Sequence, residues 1–258
     1  MRNRLITLLT LVTALVLVFW TPAEAAYMSW SALGSGMSGG SYIHVTSLAR
    51  DGSGNLYAAG RFLTAGGVTV NHIAKWNGSS WSALSSGLYL PASGYGLVYS
   101  LVLDASGNVY AGGDFTMTTS SLTVNHIAKW NGSSWSALGS GMDGDVPALA
   151  MDAAGNLYAG GWFKHAGGVL VNYIAKWNGS SWSSLGSGIG AVDPYIGPTA
   201  VESLLWDNSS GNLYAGGYFS TAGSVGANHI ASRVGHAPGH LESACASQGQ
   251  PSRASPGN

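Results

Sequence analysis

The chain is poor in charge and cysteine and has no amphipathic helical pattern, and each shortage removes a class of protein. Asp, Glu, Lys and Arg make up 8% of its 258 residues and the formal net charge is -1. That balance gives no reason to expect nucleic acid or an anionic membrane surface as a partner. Cys245 is the single cysteine, so an internal disulfide is impossible and stability must come from burial and strand pairing. Beyond residue 26 no segment shows helical periodicity, and none is apolar enough to cross a membrane as a helix. Nucleophile elbows, Walker loops, His-Glu-x-x-His and Cys-x-x-Cys are all missing.

Glycine is in excess, at 39 residues of 258. No G-X-Y period accompanies it, which leaves turn-rich β-structure rather than collagen. The first residues have the form of an export signal: basic Arg2 and Arg4, an apolar run from Leu5 to Trp20, and the small-x-small site Ala23-Glu24-Ala25. Residues 1–25 are expected to be a signal peptide cleaved after Ala25 or Ala26, because the apolar run falls short of the ~20 residues that span a bilayer. The expected location is secreted, extracellular or at the cell surface.

An internal repeat decides the fold class. Trp-Ser-Ala/Ser-Leu begins at Trp30, Trp81, Trp135 and Trp182, and Gly-Asn-Leu/Val-Tyr begins at Gly54, Gly107, Gly155 and Gly211. A period of about fifty residues marks solenoids, propellers or arrays. Within one unit the pattern predicts four short strands: Val45 to Arg50, Asn55 to Phe62, His72 to Trp76 and Trp81 to Leu84. Between them lie the turns Asp51-Gly52-Ser53-Gly54 and Asn77-Gly78-Ser79 and the loop Thr64-Ala65-Gly66-Gly67. Asn-Gly predicts a tight hairpin in which both residues take positive φ.

Four antiparallel strands per repeat predict an all-β fold, a β-propeller with about four blades over residues 27–232. Small residues at Ala58-Ala59-Gly60, Ala111-Gly112-Gly113, Ala159-Gly160-Gly161 and Ala215-Gly216-Gly217 would let adjacent blades approach, with the Trp residues filling the wider space. The N-terminal strand Ser29 to Leu33 is expected to complete the last blade beside Asn228 to Ala231 and remove the exposed sheet edges. After Asn228-His229-Ile230-Ala231 the repeat is lost, and no Phe, Trp or Tyr occurs from Ser232 to Asn258. Residues 233–258 read as a disordered or aberrant tail, as in a truncated or frame-shifted piece of a longer propeller. Part of a larger ring, or one completed by self-association, is the alternative.

Asp104-Ala105-Ser106-Gly107-Asn108-Val109-Tyr110-Ala111-Gly112-Gly113 resembles the core of bacterial SBBP-type propeller repeats. The Gly-Gly-x-Phe segment with a Trp about twenty residues later is similar to Kelch repeats of the galactose-oxidase type. The resemblance spans residues 29 to 231 and implies a propeller without implying an activity. No Tyr/His/Cys set matches the copper ligands of the Kelch-like oxidases. The Ser-x-Asp-x-Gly-x-Thr-Trp box of sialidase-like propellers is absent too.

Chemistry is sparse. The Asp-x-x-Gly-Asn turns offer one carboxylate each, against the several oxygens a calcium loop needs, so Asp51, Asp104 and Asp152 read as backbone caps. His72, His126 and His229 share a position that holds Tyr173 in the third repeat, which suits a packed, hydrogen-bonded ring rather than a metal ligand. No catalytic residue, cofactor or metal is assigned. The repeats differ most in the loops after strands two and four, which should share one face, and at the residue before the recurrent Phe. Those positions give the candidate ligand-binding set Arg61, Asp114, Trp162 and Tyr218, with Asp193 and Tyr195 from a long loop. The expected function is an exported, non-enzymatic binding module for a protein or glycan ligand. Alternatives are a lectin with repeated exposed aromatics, an enzyme whose carboxylates meet at a central funnel, and a structural spacer.

Overall fold

The computed structural model describes residues 29–90, 96–118, 122–190 and 198–234. The signal segment, the tail beyond Val234, Asp193 and Tyr195 lie outside them. Among the described residues there is no helix, and every strand pairing is antiparallel. The described residues from Leu33 to Val234 belong to one compact unit.

Each repeat folds into one sheet whose strands keep chain order. The first sheet holds His44–Arg50, Leu56–Arg61, Ile73–Trp76 and Trp81–Ala83. The second holds Leu97–Leu103, Val109–Asp114, Ile127–Trp130 and Trp135–Ala137. The third holds Ala148–Met151, Leu157–Gly160, Ile174–Trp177 and Trp182–Ser184. The fourth stops at three strands, Ala200–Asp207, Asn212–Tyr218 and Ile230–Val234.

A sheet this small is apolar on both faces and needs neighbours. The sheets accordingly stack in chain order through their first strands. Three buried clusters each straddle two successive sheets, centred on Leu101 and Phe115, on Leu157 and Phe163, and on Val201 and Phe219. Glycine permits the approach: a Cβ at Gly112 would lie 2.7 Å from Val146 Cγ1, and one at Gly160 would lie 2.5 Å from Val201 Cγ1. The repeated indoles tie one repeat to the one before. Trp81, Trp135 and Trp182 donate from Nε1 to the carbonyls of Leu33, Leu84 and Leu138 at 2.9, 2.9 and 2.8 Å.

The turns follow the expected chemistry in one case and depart from it in two. Asp104 Oδ1 accepts from the Ser106 and Asn108 amides and Oδ2 from Asn108 Nδ2 and the Tyr110 hydroxyl, with Gly107 at φ 79°. The Asp is therefore a backbone cap, as its sequence context suggests. The Asn-Gly turn differs: Gly78 alone takes positive φ, while Asn77 Oδ1 accepts from the Ser79 and Ser80 amides. The side chain thus replaces a tight two-residue hairpin with a four-residue Asx turn. The third strand also begins one residue late. Asn71 and His72 are both left-handed, at φ 47° and 74°, and Asn71 Nδ2 donates to Ser86 O at 2.7 Å.

The loop after strand two is itself a small hairpin, Thr64–Ala65 with Val68–Thr69. Leu88–Tyr89, which follows strand four of the first sheet, pairs with Met117–Thr118, which follows strand two of the second. The loops after strands two and four therefore share a face, as the strand directions require.

The expected closing strand requires correction. Residues 29–33 carry no strand, and no strand pairs with the free edge of Ile230–Val234 among the described residues. The leading segment keeps the contacts that every repeat makes with the next one: Leu33 accepts from Trp81, and Met37–Ser38 pairs with Thr64–Ala65. Arg233 and Val234, placed in the tail by the loss of the repeat, extend the last strand by pairing with Leu213 and Asn212.

Candidate functional site

The residue before each recurrent Phe sits just past a glycine where the sheet is bulged. In the first, second and fourth sheets the register shifts beside Gly60, Gly113 and Gly217. A Cβ at these glycines would meet a strand-one carbonyl oxygen at 2.1, 2.1 and 2.3 Å. Bulges re-aim side chains, and these lie immediately before Arg61, Asp114 and Tyr218, which close the ladder opposite His44, Leu97 and Ala200. Each bulge also leaves one strand-one residue unpaired: Thr46, Tyr99 and Glu202.

A second ring of positions lies against the first. The backbone carbonyls of His72, His126, Tyr173 and His229 accept from the amides of Gly60, Gly113, Gly161 and Gly217 at 3.0 to 3.1 Å. Each sheet thereby presents a pair: Arg61 with His72, Asp114 with His126, Trp162 with Tyr173, and Tyr218 with His229.

The second and third sheets bring a histidine and two carboxylates together. His126 Nδ1 lies 3.3 Å from Asp145 Oδ1 and 3.2 Å from Gly113 O. Burial alone would lower the His126 pKa, but Asp145 and the Gly113 carbonyl hold it above the ordinary value. Burial raises Asp114, with the Asp145 charge adding and His126 opposing. Tyr99 lies within the field of all of these. Its hydroxyl is pushed up to about 12 by burial and by Asp145, Asp114 and Glu202, against the opposing charge of Arg61. Four sheets thus contribute charge to one locality.

On the side of the fourth sheet the surface turns aromatic. Trp162 and Tyr218 are 52% and 47% exposed, enough to contact a ligand. Trp162 Nε1 donates to Glu202 Oε1 at 2.6 Å, which fixes the indole plane on a carboxylate. A cavity of about 370 Å³ is lined by Glu202, Tyr218 and His229. Another of about 300 Å³ lies among Asp143, Trp162, Lys164 and Tyr173.

Asp114, His126 and Asp145 are the grouping of donors among the described residues that could converge on a cation, with one ligand atom of each within 4.8 Å of the others. Two carboxylates and an imidazole suit a divalent transition metal. Here one imidazole nitrogen is already committed to Asp145 and Gly113 O.

Of the set of residues expected from the sequence, Arg61 and Asp114 both act by charge on Tyr99, Trp162 bonds Glu202, and Tyr218 lines a cavity with Glu202. Tyr99, Asp145 and Glu202 were not in that set. Tyr99 and Glu202 occupy the bulge, a backbone irregularity that no hydrophobic period signals; their mismatch across repeats is the trace they leave. Asp143 serves structure instead, since Oδ1 accepts from the Lys164 and His165 amides at 2.9 and 2.8 Å. The repeated Trp81, Trp135 and Trp182 are buried. That removes the equivalent exposed aromatics a one-sugar-per-repeat lectin requires.

No family model and no curated protein matches the chain. Among solved structures it is similar to the extracellular domain of BT4673 from B. thetaiotaomicron, solved once as a one component system and once as a hybrid two component system. The identities are 15% and 13% and the TM-scores 0.45 and 0.46, over 70% of this chain and 21% of each of those chains. A protein of unknown function from Dyadobacter fermentans is 17% identical with a TM-score of 0.35, over 72% of this chain and 58% of that one. The chain spans about a fifth of the length of the BT4673 chains.

Proposed function

We propose that this chain is an exported, non-enzymatic recognition module of β-propeller type, with blades akin to SBBP and Kelch repeats, that binds a protein or glycan ligand outside the cell. The observation that carries the reading is the convergence of Arg61, Tyr99, Asp114, Asp145, Trp162, Glu202 and Tyr218 on the face that bears the varied loops. The repeated Asp and Trp side chains serve turns and junctions, and several residues that differ between repeats lie here. Rigid strands with divergent polar and aromatic ends are a common way to mount a binding site. Export rests on the basic, apolar and small-residue order of the first 25 residues.

A fixed indole beside carboxylates suits a polyhydroxylated ligand, whose C–H face stacks on the ring while its hydroxyls donate to Glu202 and Asp145. Titration of the secreted protein with a panel of neutral and acidic oligosaccharides, read by tryptophan fluorescence, tests this. Saturable quenching that weakens at least tenfold in both Trp162→Ala and Glu202→Gln supports the site. Binding indifferent to both substitutions removes it.

The meeting of Asp114, Asp145 and Glu202 from different repeats favours a second reading, a funnel enzyme using one raised carboxyl as acid. Cleavage of any bound oligosaccharide that is lost in Asp114→Asn would replace the first reading with this one.

A further inference from the structure

The two ends of the stack carry complementary halves of the junction that the interior repeats three times. In the interior, a valine in or just before strand one packs toward strand two of the preceding sheet: Val98, Val146 and Val201 are all 0% exposed. Val45 holds the same place in the first sheet, which has no predecessor, and is 43% exposed. Leu48 follows the same rule at 62% exposed, against 6% for both Leu101 and Leu149. At the opposite end Gly216 occupies the place of Gly112 and Gly160. A Cβ there would find nothing nearer than 3.9 Å, where the interior glycines meet valine at 2.7 and 2.5 Å.

The indole contact is split in the same way. Trp81 lies against Gly34 and Gly66, and Trp182 against Gly139 and Gly167. The matching glycines of the last repeat, Gly186 and Gly223, border an open cavity of about 330 Å³ lined also by Leu185, Ile189 and Arg233. No Trp, Phe or Tyr follows Tyr218 and Phe219 in the sequence, so the last repeat cannot fill this cavity with its own fourth strand. Trp30-Ser31-Ala32-Leu33 is a fourth-strand motif without a sheet of its own, and Trp30 is fully exposed.

We propose that a second copy of this chain docks head to tail on the free edge of Ile230–Val234. Its Trp30-Ser31-Ala32 forms the missing fourth strand, and its Val45 and Leu48 pack toward Gly216. The register follows Trp76 with Trp81, Lys75 with Ser82 and Ala74 with Ala83. It sets Trp30 of the partner subunit opposite Arg233, Ser31 of the partner subunit opposite Ser232 and Ala32 of the partner subunit opposite Ala231. The partner's indole then lies beside the Arg233 guanidinium, a cation–π pair in place of the interior Trp–Trp pair, with the Leu185 carbonyl as its hydrogen-bond acceptor. Such a heterologous junction closes when two copies complete a ring. Eight sheets are within the range that propellers use. The inference rests on the repeat packing and is independent of any ligand at the polar face.

Paired cysteines test it in the full secreted chain carrying Cys245→Ser. Val45→Cys and Gly216→Cys are combined, and both sites are open in the single chain. Interior equivalents predict a Cβ separation near the 3.0 to 3.2 Å of Gly160 with Val201 and Gly112 with Val146, close to disulfide range. Oxidation is expected to give a reducible species of twice the chain mass or more. A disulfide formed at single-chain mass would show that the ring closes on itself, and free thiols would show that the ends never meet. Either result overturns the proposal. Light scattering provides the second arm. Val45→Asp and Gly216→Trp are each expected to reduce the mass to one chain, while their mixture, which retains one intact junction per pair, recovers a dimer. A mixture that stays at single-chain mass contradicts the proposal.

Discussion

At the scale of single residues, repetition exposes which side chains serve the backbone. Asp104 spends both oxygens on four donors, and burial, opposed by these hydrogen bonds and by Lys129, leaves its pKa below the ordinary value. Asp104→Ala removes the acceptor of one exposed and one part-buried amide and is expected to cost about 0.5–1.5 kcal/mol in urea unfolding. His72 behaves differently. It is 1% exposed, and its Nε2 accepts from the Gly96 amide at 3.1 Å. Burial and the Arg61 charge lower its pKa to about 4. A base depressed in the fold is neutral above its unfolded value of about 6.5, so its contribution is whole there. The contribution is lost as pH falls toward 4, by up to about 3 kcal/mol. His126, raised in the fold, acts in the opposite sense. His72→Gln should therefore flatten the acid limb of the stability profile relative to the parent protein; identical limbs would refute this role. The sequence shows that this position holds a ring. It does not show the left-handed backbone beneath it, because that conformation is imposed by the carboxamide of Asn71 on the next loop.

At the scale of elements, strand identity follows from composition and strand direction from the turns. Strands one, two and four begin or end within a residue or two of expectation because Gly, Asn and Asp punctuate β-branched and aromatic runs. The bulges and the two-residue hairpins escape, since neither disturbs the apolar alternation. Exposure along strand one then predicts unequal protection. His44–Arg50 is largely exposed, while Leu97–Leu103 is covered on the side facing its neighbour. Amide hydrogen exchange under conditions where the chain is monomeric should protect 97–103 at least tenfold more than 44–50. Equal protection would mean that strand one of the first sheet is covered in solution. Trp135→Phe removes the indole bond to Leu84 O and leaves that carbonyl the Gly87 amide alone. It should destabilise the fold by about 0.5–1.5 kcal/mol, whereas Trp30→Phe leaves the monomer unchanged.

At the scale of the molecule, the number of repeats was legible and their closure was not. The sequence offers an unclaimed fourth strand at one end and a three-stranded sheet at the other, which invites a sealed ring. In the structure the leading segment is committed to Trp81 and to Thr64–Ala65, and the match between the ends remains unmade within one chain. Arg61, Asp114, Trp162 and Tyr218 were legible where the repeats differ, whereas Tyr99, Asp145 and Glu202 were not, because they come from different repeats and no local pattern unites them. The central claim is that successive sheets face one another small residue to valine, glycine at two of the three junctions and Ala59 at the first. It is tested most directly by Gly112→Cys with Val146→Cys in a Cys245→Ser background, since a Cβ at Gly112 would lie 3.2 Å from that of Val146. Oxidation should give an internal disulfide at single-chain mass with native β-sheet circular dichroism. Two thiols that stay free in the folded protein would contradict the stacking and everything placed upon it.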